Sequence, residues 1–123
     1  MDGEAKLIFI ACHLSNQGND LARLSQAMDR FPNLYIEIAA RDYEIGRQPR
    51  TAAKFFEKYK DRLLFGTDSA PGPRMYRAWW RLLESADEYM PGPAGWRLYG
   101  LELPDAVLEP LYRGNAKRIL NWK

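Results

Sequence analysis

The 123 residues contain one cysteine, Cys12, and one histidine, His13. A single thiol excludes an internal disulfide. A single imidazole excludes a histidine-rich metal centre built by this chain alone, because catalytic zinc usually takes about three protein ligands. No apolar run approaches the roughly 20 residues that a membrane helix needs, so no membrane partner is expected. The opening residues Met1-Asp2-Gly3-Glu4-Ala5-Lys6 lack the basic-then-apolar layout of a secretory leader, and the expectation is a reducing, cytoplasmic location. Charge of one sign is also scarce: 18 Lys and Arg against 16 Asp and Glu leave +2. That balance argues for neither a nucleic acid nor an anionic surface as ligand. Nucleotide binding has no support, since no Gly-x-x-x-x-Gly-Lys-Ser/Thr or Gly-x-Gly-x-x-Gly stretch occurs.

What is present is a globular composition, 46% hydrophobic and 28% charged, in a length that suits one domain with a packed core. Leu7-Ile8-Phe9-Ile10-Ala11-Cys12 is a continuous apolar run, read as a strand covered on both faces. After a polar loop, Asn19 or Asp20 can cap a helix whose Leu21, Leu24, Ala27, Met28 and Phe31 recur at three- and four-residue steps and face inward. Pro32-Asn33 ends it, and Leu34-Tyr35-Ile36-Glu37-Ile38-Ala39 follows as a second strand. A polar loop over residues 41–50 leads through Pro49 into a helix carrying Ala52, Ala53, Phe55, Phe56 and Tyr59. Leu63-Leu64-Phe65-Gly66 reads as a short third strand. This order predicts an α/β fold with right-handed crossovers and a parallel sheet, whose functional residues sit in the loops leaving the strands' C-terminal ends.

The layout is thus one unit over 1–123: βα units to residue 86, a breaker-rich loop over 87–98, and C-terminal helices over 99–123. The helix over 74–85 has Met75, Ala78, Trp79, Leu82 and Leu83 as its apolar stripe. In the tail, one helix opens at Pro104-Asp105 and stops before Gly114, with Pro110 kinking or dividing it. Another is capped by Asn115.

His13 directly follows the first strand and Asp68 shortly follows the third, so both belong at one end of the sheet. An imidazole there can ligate a metal or act as a base, and a carboxylate suits a divalent cation or accepts a proton from water. Alone, such a pair is a weak signal, and a structural histidine with a turn aspartate is the preferred reading. Cys12 reads as a small buried hydrophobe rather than a nucleophile. Arg41, Arg47 and Arg50 can clamp a carboxylate or phosphate through forked hydrogen bonds. The solvated-surface reading is preferred for Arg47 and Arg50. Arg74, Arg77 and Arg81 lie beside Trp79 and Trp80, but Glu84, Asp87 and Glu88 dilute the patch, and a charged outer helix face is preferred to nucleic-acid binding.

His13-Leu14-Ser15-Asn16 after the first strand, the stretch Phe31-Pro32-Asn33-Leu34-Tyr35-Ile36-Glu37-Ile38-Ala39-Ala40-Arg41, then Leu64-Phe65-Gly66-Thr67-Asp68, and Gly114-Asn115-Ala116-Lys117-Arg118-Ile119-Leu120 occur in an ordered set. Together they resemble the C-terminal part of the metal-dependent amidohydrolases, nearest the branch that includes aminocarboxymuconate-semialdehyde decarboxylase. The resemblance implies a TIM (β/α)8 barrel of which this chain supplies about the last three βα units and the closing helices. It implies that His13 is a metal ligand or catalytic base and that Asp68 is a metal ligand and proton acceptor. The ion would be zinc or another divalent cation, and Arg41 and Asn16 would be substrate contacts. It further implies hydrolysis or decarboxylation of a small organic acid or amide.

The family's His-x-His and its ligands from the fourth and fifth strands have no counterpart here, and a whole barrel takes about 250 residues. Ser15 stands where such sequences often have glycine, Glu37 where they often have aspartate, and Pro110 in a helix that usually lacks proline. Strands cut from a closed barrel leave unpaired edges, so a lone monomer should be poorly stable. The expectation is therefore a chain that is inactive in isolation and either self-associates or complements a missing N-terminal barrel half. The alternative is a non-enzymatic oligomeric or binding module built on a barrel remnant, holding no metal.

Overall fold

The computed structural model describes residues 7–123. Three short strands, β1 (Phe9–Ala11), β2 (Leu34–Glu37) and β3 (Leu63–Leu64), form a parallel sheet in the order β1-β2-β3. Ile10 pairs with Tyr35, and Ile36 stands between Ala11 and Leu63. Parallel neighbours need crossovers. α1 (Leu21–Arg30) links β1 to β2, and α2 (Asp42–Ile45) with α3 (Pro49–Lys58) links β2 to β3. The mixed α/β plan read from the order of apolar segments is the one observed.

Local chemistry explains where the helices begin. The Asp20 carboxylate accepts the Arg23 N–H at 3.1 Å, satisfying one of the free donors of the first turn of α1. Pro49 starts α3, where its missing N–H costs nothing. Leu21, Leu24 and Met28 of α1 and Ala52, Phe55 and Phe56 of α3 are buried with Ile36, Ile38 and Leu63. Arg62 closes the turn from α1 into β2 by donating to the carbonyls of Met28 at 2.9 Å and Phe31 at 3.0 Å.

Among the described residues β1 lacks such cover, whereas β3 also meets the tail, Phe65 N–H donating to the Leu111 carbonyl at 3.1 Å. Ile10 is 46% and Phe9 58% exposed, so the reading of the first strand as covered on both faces is corrected. Among the described residues β1 is an edge strand whose neighbour is β2. Phe31, expected inward, is also exposed, because the backbone has left the helix there and turns extended.

After β3 the chain forms α4 (Pro73–Glu84), burying Trp79, Leu82 and Leu83 while Ala78 faces out. Residues 87–98 double back, and Met90 and Leu98 exchange two N–H···O bonds of 2.8 Å each. Leu101 and Leu103 then donate to the Leu82 and Leu83 carbonyls at the end of α4.

The tail departs from expectation. α5 (Asp105–Glu109) passes through a widened π turn (Pro110–Gly114) into α6 (Asn115–Ile119), and Glu109, Pro110, Gly114 and Asn115 all have right-handed helical dihedrals. Pro110 neither ends nor divides the helix, Gly114 does not stop it, and Asn115 caps nothing. Proline lacks an N–H and crowds the carbonyl a turn before it, yet the chain stays helical through Pro110 and widens in the turn that follows, closed by Asn115 N–H to the Pro110 carbonyl. No helix among the described residues is long and apolar enough to cross a membrane.

Candidate active site

Because the sheet is parallel, the exits of β1, β2 and β3 share one rim. Each exit enters the left-handed backbone region without a glycine. His13, Leu14, Ser15 and Asn16 have φ of 57°, 50°, 53° and 55° after β1, Ala40 has 55° after β2, and Asp68 has 57° after β3. Each such residue costs of order 1–2 kcal/mol, and surrounding structure must impose it.

Three anchors impose it here. Leu14 is fully buried. The turn after β1 closes through Ser15 N–H to the Cys12 carbonyl at 3.0 Å and Gln17 N–H to the Leu14 carbonyl at 2.8 Å. The Glu37 carboxylate, at the end of β2, accepts the Ala39 N–H at 2.7 Å and the His13 N–H at 3.4 Å through Oε1. It lies against Gly66 of the third exit, where a Cβ would stand 2.6 Å from its Oε2. One side chain therefore ties all three exits together.

His13 Nδ1 lies 2.8 Å from the Ala39 carbonyl. A carbonyl can only accept, so Nδ1 carries the proton and Nε2 of the neutral ring is the free base. Nε2 faces Asp68 Oδ2 at 4.0 Å. That gap is too long for a hydrogen bond, and it is a little wider than the roughly 3.3–3.6 Å that two donors about 2.0–2.2 Å from one shared tetrahedral ion would span. The two residues singled out for chemistry are brought together across the end of β2.

Arg41 and Asn16 are also brought together, but onto each other. Arg41 Nη2 donates to Asn16 Oδ1 at 2.7 Å, and Nη1 donates to the Ala40 carbonyl at 2.7 Å and lies 3.1 Å from the Tyr43 hydroxyl. Nε stands 3.2 Å from Glu44 Oε1. The guanidinium thus knits the first and second exits. Arg47 is exposed away from this knot, its guanidinium over the Trp96 ring. Cys12 is exposed, not buried, because it sits where β1 already turns out of the sheet.

Sequence reasoning named Glu37 only as a departure from a pattern and missed it as the anchor of the rim. The available signal was its place three residues before Ala40 with Gly66 opposite. As a metal site the rim is half-furnished. It offers one imidazole and one carboxylate, and among the described residues no group of three His, Cys, Asp or Glu side chains could hold an ion. Zinc needs three or four donors, so these residues alone do not fit it, and no chemical step is derived through a metal here.

Asp42 opens α2 beside this rim, and burial pushes its carboxyl above the usual value of 3.8. The folded chain therefore holds this proton more tightly than the unfolded chain. The resulting stability is fully present below the ordinary value and is lost as pH rises through the raised one. Asp42→Asn, neutral throughout, is expected to melt higher than the parent near pH 7, with the two melting temperatures converging by about pH 3 in a calorimetric series.

Residues 5–122 match the family model described as amidohydrolase. Comparisons with curated proteins and with solved structures match nothing.

Proposed function

The chain belongs to the amidohydrolase family, whose model spans nearly all of it, and from that premise we propose that it is the C-terminal part of a (β/α)8 hydrolase or decarboxylase acting on a small organic acid or amide. Enzymes of this family usually use divalent metals. We assign His13 and Asp68 as this chain's share of such a site, with zinc as the ion and kinship nearest the aminocarboxymuconate-semialdehyde decarboxylase branch. The observation that carries the reading is the locked imidazole: Nδ1 bound to the Ala39 carbonyl, and Nε2 aimed at Asp68 across 4.0 Å.

A divalent ion held by a complete donor set acidifies water and polarises a carbonyl. This chain's residues would present a neutral Nε2 lone pair and a carboxylate able to take a proton. Glu37 and the Ala39 carbonyl position the ring, and Arg41 with Asn16 lines the rim where the acid or amide would sit. Exposed β1 supports a partner strand. Leu7, Ile8, Phe9 and Ile10 are 42–58% exposed, and an apolar strand edge of this kind is a template for pairing. The partner is the N-terminal half of the barrel, or a second copy in its absence, in a cytoplasmic setting.

The shortfall of donors favours a second reading, a non-enzymatic module reusing the fold. Zinc titration by calorimetry, with hydrolase assays on the same sample, separates the two. The enzyme-part reading expects weak zinc binding, abolished in both His13→Ala and Asp68→Ala, and no turnover by the isolated chain. Zinc heat that is absent in the parent, or unchanged in both variants, rejects it in favour of the module. Turnover by the isolated chain with zinc rejects the claim of inactivity. Light scattering on the same preparation is expected to give a mass above 14.3 kDa, and a strict monomer would remove the pairing argument.

A further inference from the structure

The doubled-back 87–98 segment borders, with Arg47 from the turn between α2 and α3, an open cleft of about 690 Å³, a size suited to a small organic molecule. Arg47, Tyr89, Pro91, Trp96, Arg97 and Tyr99 are among its lining residues, and none of the lining residues is acidic. None of His13, Asp68, Arg41 or Asn16 lines it.

Both cations are stacked on rings: Arg47 Cζ stands 4.5 Å from the Trp96 ring centre and Arg97 Cζ 4.9 Å from that of Tyr89. A guanidinium laid on a ring keeps the N–H groups of its edge free, and it is the side chain whose fork matches a carboxylate. Among the described residues neither Arg47 nor Arg97 has a carboxylate partner, whereas Arg41, Arg81 and Arg113 each do.

The frame is fixed before any ligand arrives. The Trp96 indole N–H donates to the Tyr43 carbonyl at 2.9 Å, and Tyr99 N–H donates to the Gly46 carbonyl at 2.8 Å. Gly92 lies so close to Leu98 that a Cβ would stand 2.7 Å from Cδ1. Tyr89 is nevertheless 67% and Trp96 38% exposed. The Trp96 ring is thus pinned by its indole, with the exposed Tyr89 ring nearby, beside two unpaired guanidinium groups.

We propose that this cleft is a binding site for a small aromatic carboxylate, the ring packing against Tyr89 and Trp96 and the carboxylate bridging Arg47 and Arg97. Pre-organised rings and donors reduce the ordering cost of binding, and the positive lining selects the sign of the ligand. The site is independent of the reading of the His13 rim.

The test follows the Trp96 indole N–H signal by NMR, assigned with Trp96→Phe, while the full chain is titrated with benzoate, cyclohexanecarboxylate, inorganic phosphate and benzamidinium. Saturable benzoate shifts are expected. Cyclohexanecarboxylate and phosphate should bind more weakly, benzamidinium should not bind, and affinity should fall about tenfold or more in Arg47→Gln and in Arg97→Gln. Both variants change exposed side chains and should keep the parent's circular dichroism. His13→Ala should leave the benzoate shifts intact. Failure of benzoate to saturate, or unchanged affinity in both arginine variants, overturns the site. Phosphate or cyclohexanecarboxylate binding as tightly as benzoate overturns its aromatic specificity.

Discussion

Asn115→Ala is expected to destabilise the chain by about 3 kcal/mol and to lower its melting temperature by about 12 °C, taking roughly 4 °C per kcal/mol at this size. The Asn115 side chain is wholly buried. Its Nδ2 donates to the Lys60 carbonyl at 2.7 Å and the Leu63 carbonyl at 2.8 Å, while Oδ1 accepts from Arg118 Nη1 at 3.1 Å. Alanine removes both donor hydrogens at once and leaves the Lys60 and Leu63 carbonyls facing the buried space of the lost carboxamide. An unmade buried hydrogen bond costs about 1–3 kcal/mol, more than a made one contributes. Because Leu63 begins β3, losing this clamp also frees the strand that delivers Asp68 to the rim. Urea unfolding of the parent and the variant measures the effect. A loss under about 1 kcal/mol would mean that solvent reaches those carbonyls and that the tail is not fastened to the sheet as described.

Asn115 also shows where sequence reading stops. The amphipathic helices were legible because three- and four-residue spacing is a local property: Leu21, Leu24 and Met28 had to share a face, and Asp20 and Pro49 mark helix starts by their own chemistry. The three apolar runs and the helices between them likewise dictated a parallel sheet and therefore a shared rim for His13 and Asp68. An asparagine after a glycine, by contrast, carries the same local signal whether it caps a helix or reaches 52 positions back to a strand carbonyl. Only the packed structure decides between those uses, and here the π turn at Pro110 lets the helix run on so that Asn115 points into the core. Burial of β1 was misread for a related reason. An apolar run reports what a strand could bury, whereas exposure of Phe9 and Ile10 depends on which neighbours stand beside it. Arg41 and Asn16 both stand at the rim, but their mutual hydrogen bond joins residues 25 positions apart and has no trace in spacing.

Gly66→Ala is expected to cost about 2 kcal/mol and to abolish whatever zinc binding the His13 rim has, an effect out of proportion to one methyl group. The new Cβ would stand 2.6 Å from Glu37 Oε2 and 2.9 Å from its Cδ. The backbone need not move, because the carboxylate is the end of a flexible side chain and can swing aside. In doing so it gives up the N–H groups of Ala39 and His13. Those two contacts help hold the left-handed residues after β1 and β2, so their loss releases strain into disorder of both exits. The Ala39 carbonyl that fixes the His13 tautomer then moves with its own backbone. A merely structural role for Gly66 would lower stability and leave the imidazole's surroundings unchanged. The positioning role argued here also changes the ring-nitrogen NMR signals that report which His13 nitrogen carries the proton, and Glu37→Gln, which keeps one acceptor oxygen, should retain part of the parent behaviour where Glu37→Ala does not. Unchanged His13 ring-nitrogen signals in a folded Gly66→Ala chain would show that Glu37 does not couple the three exits.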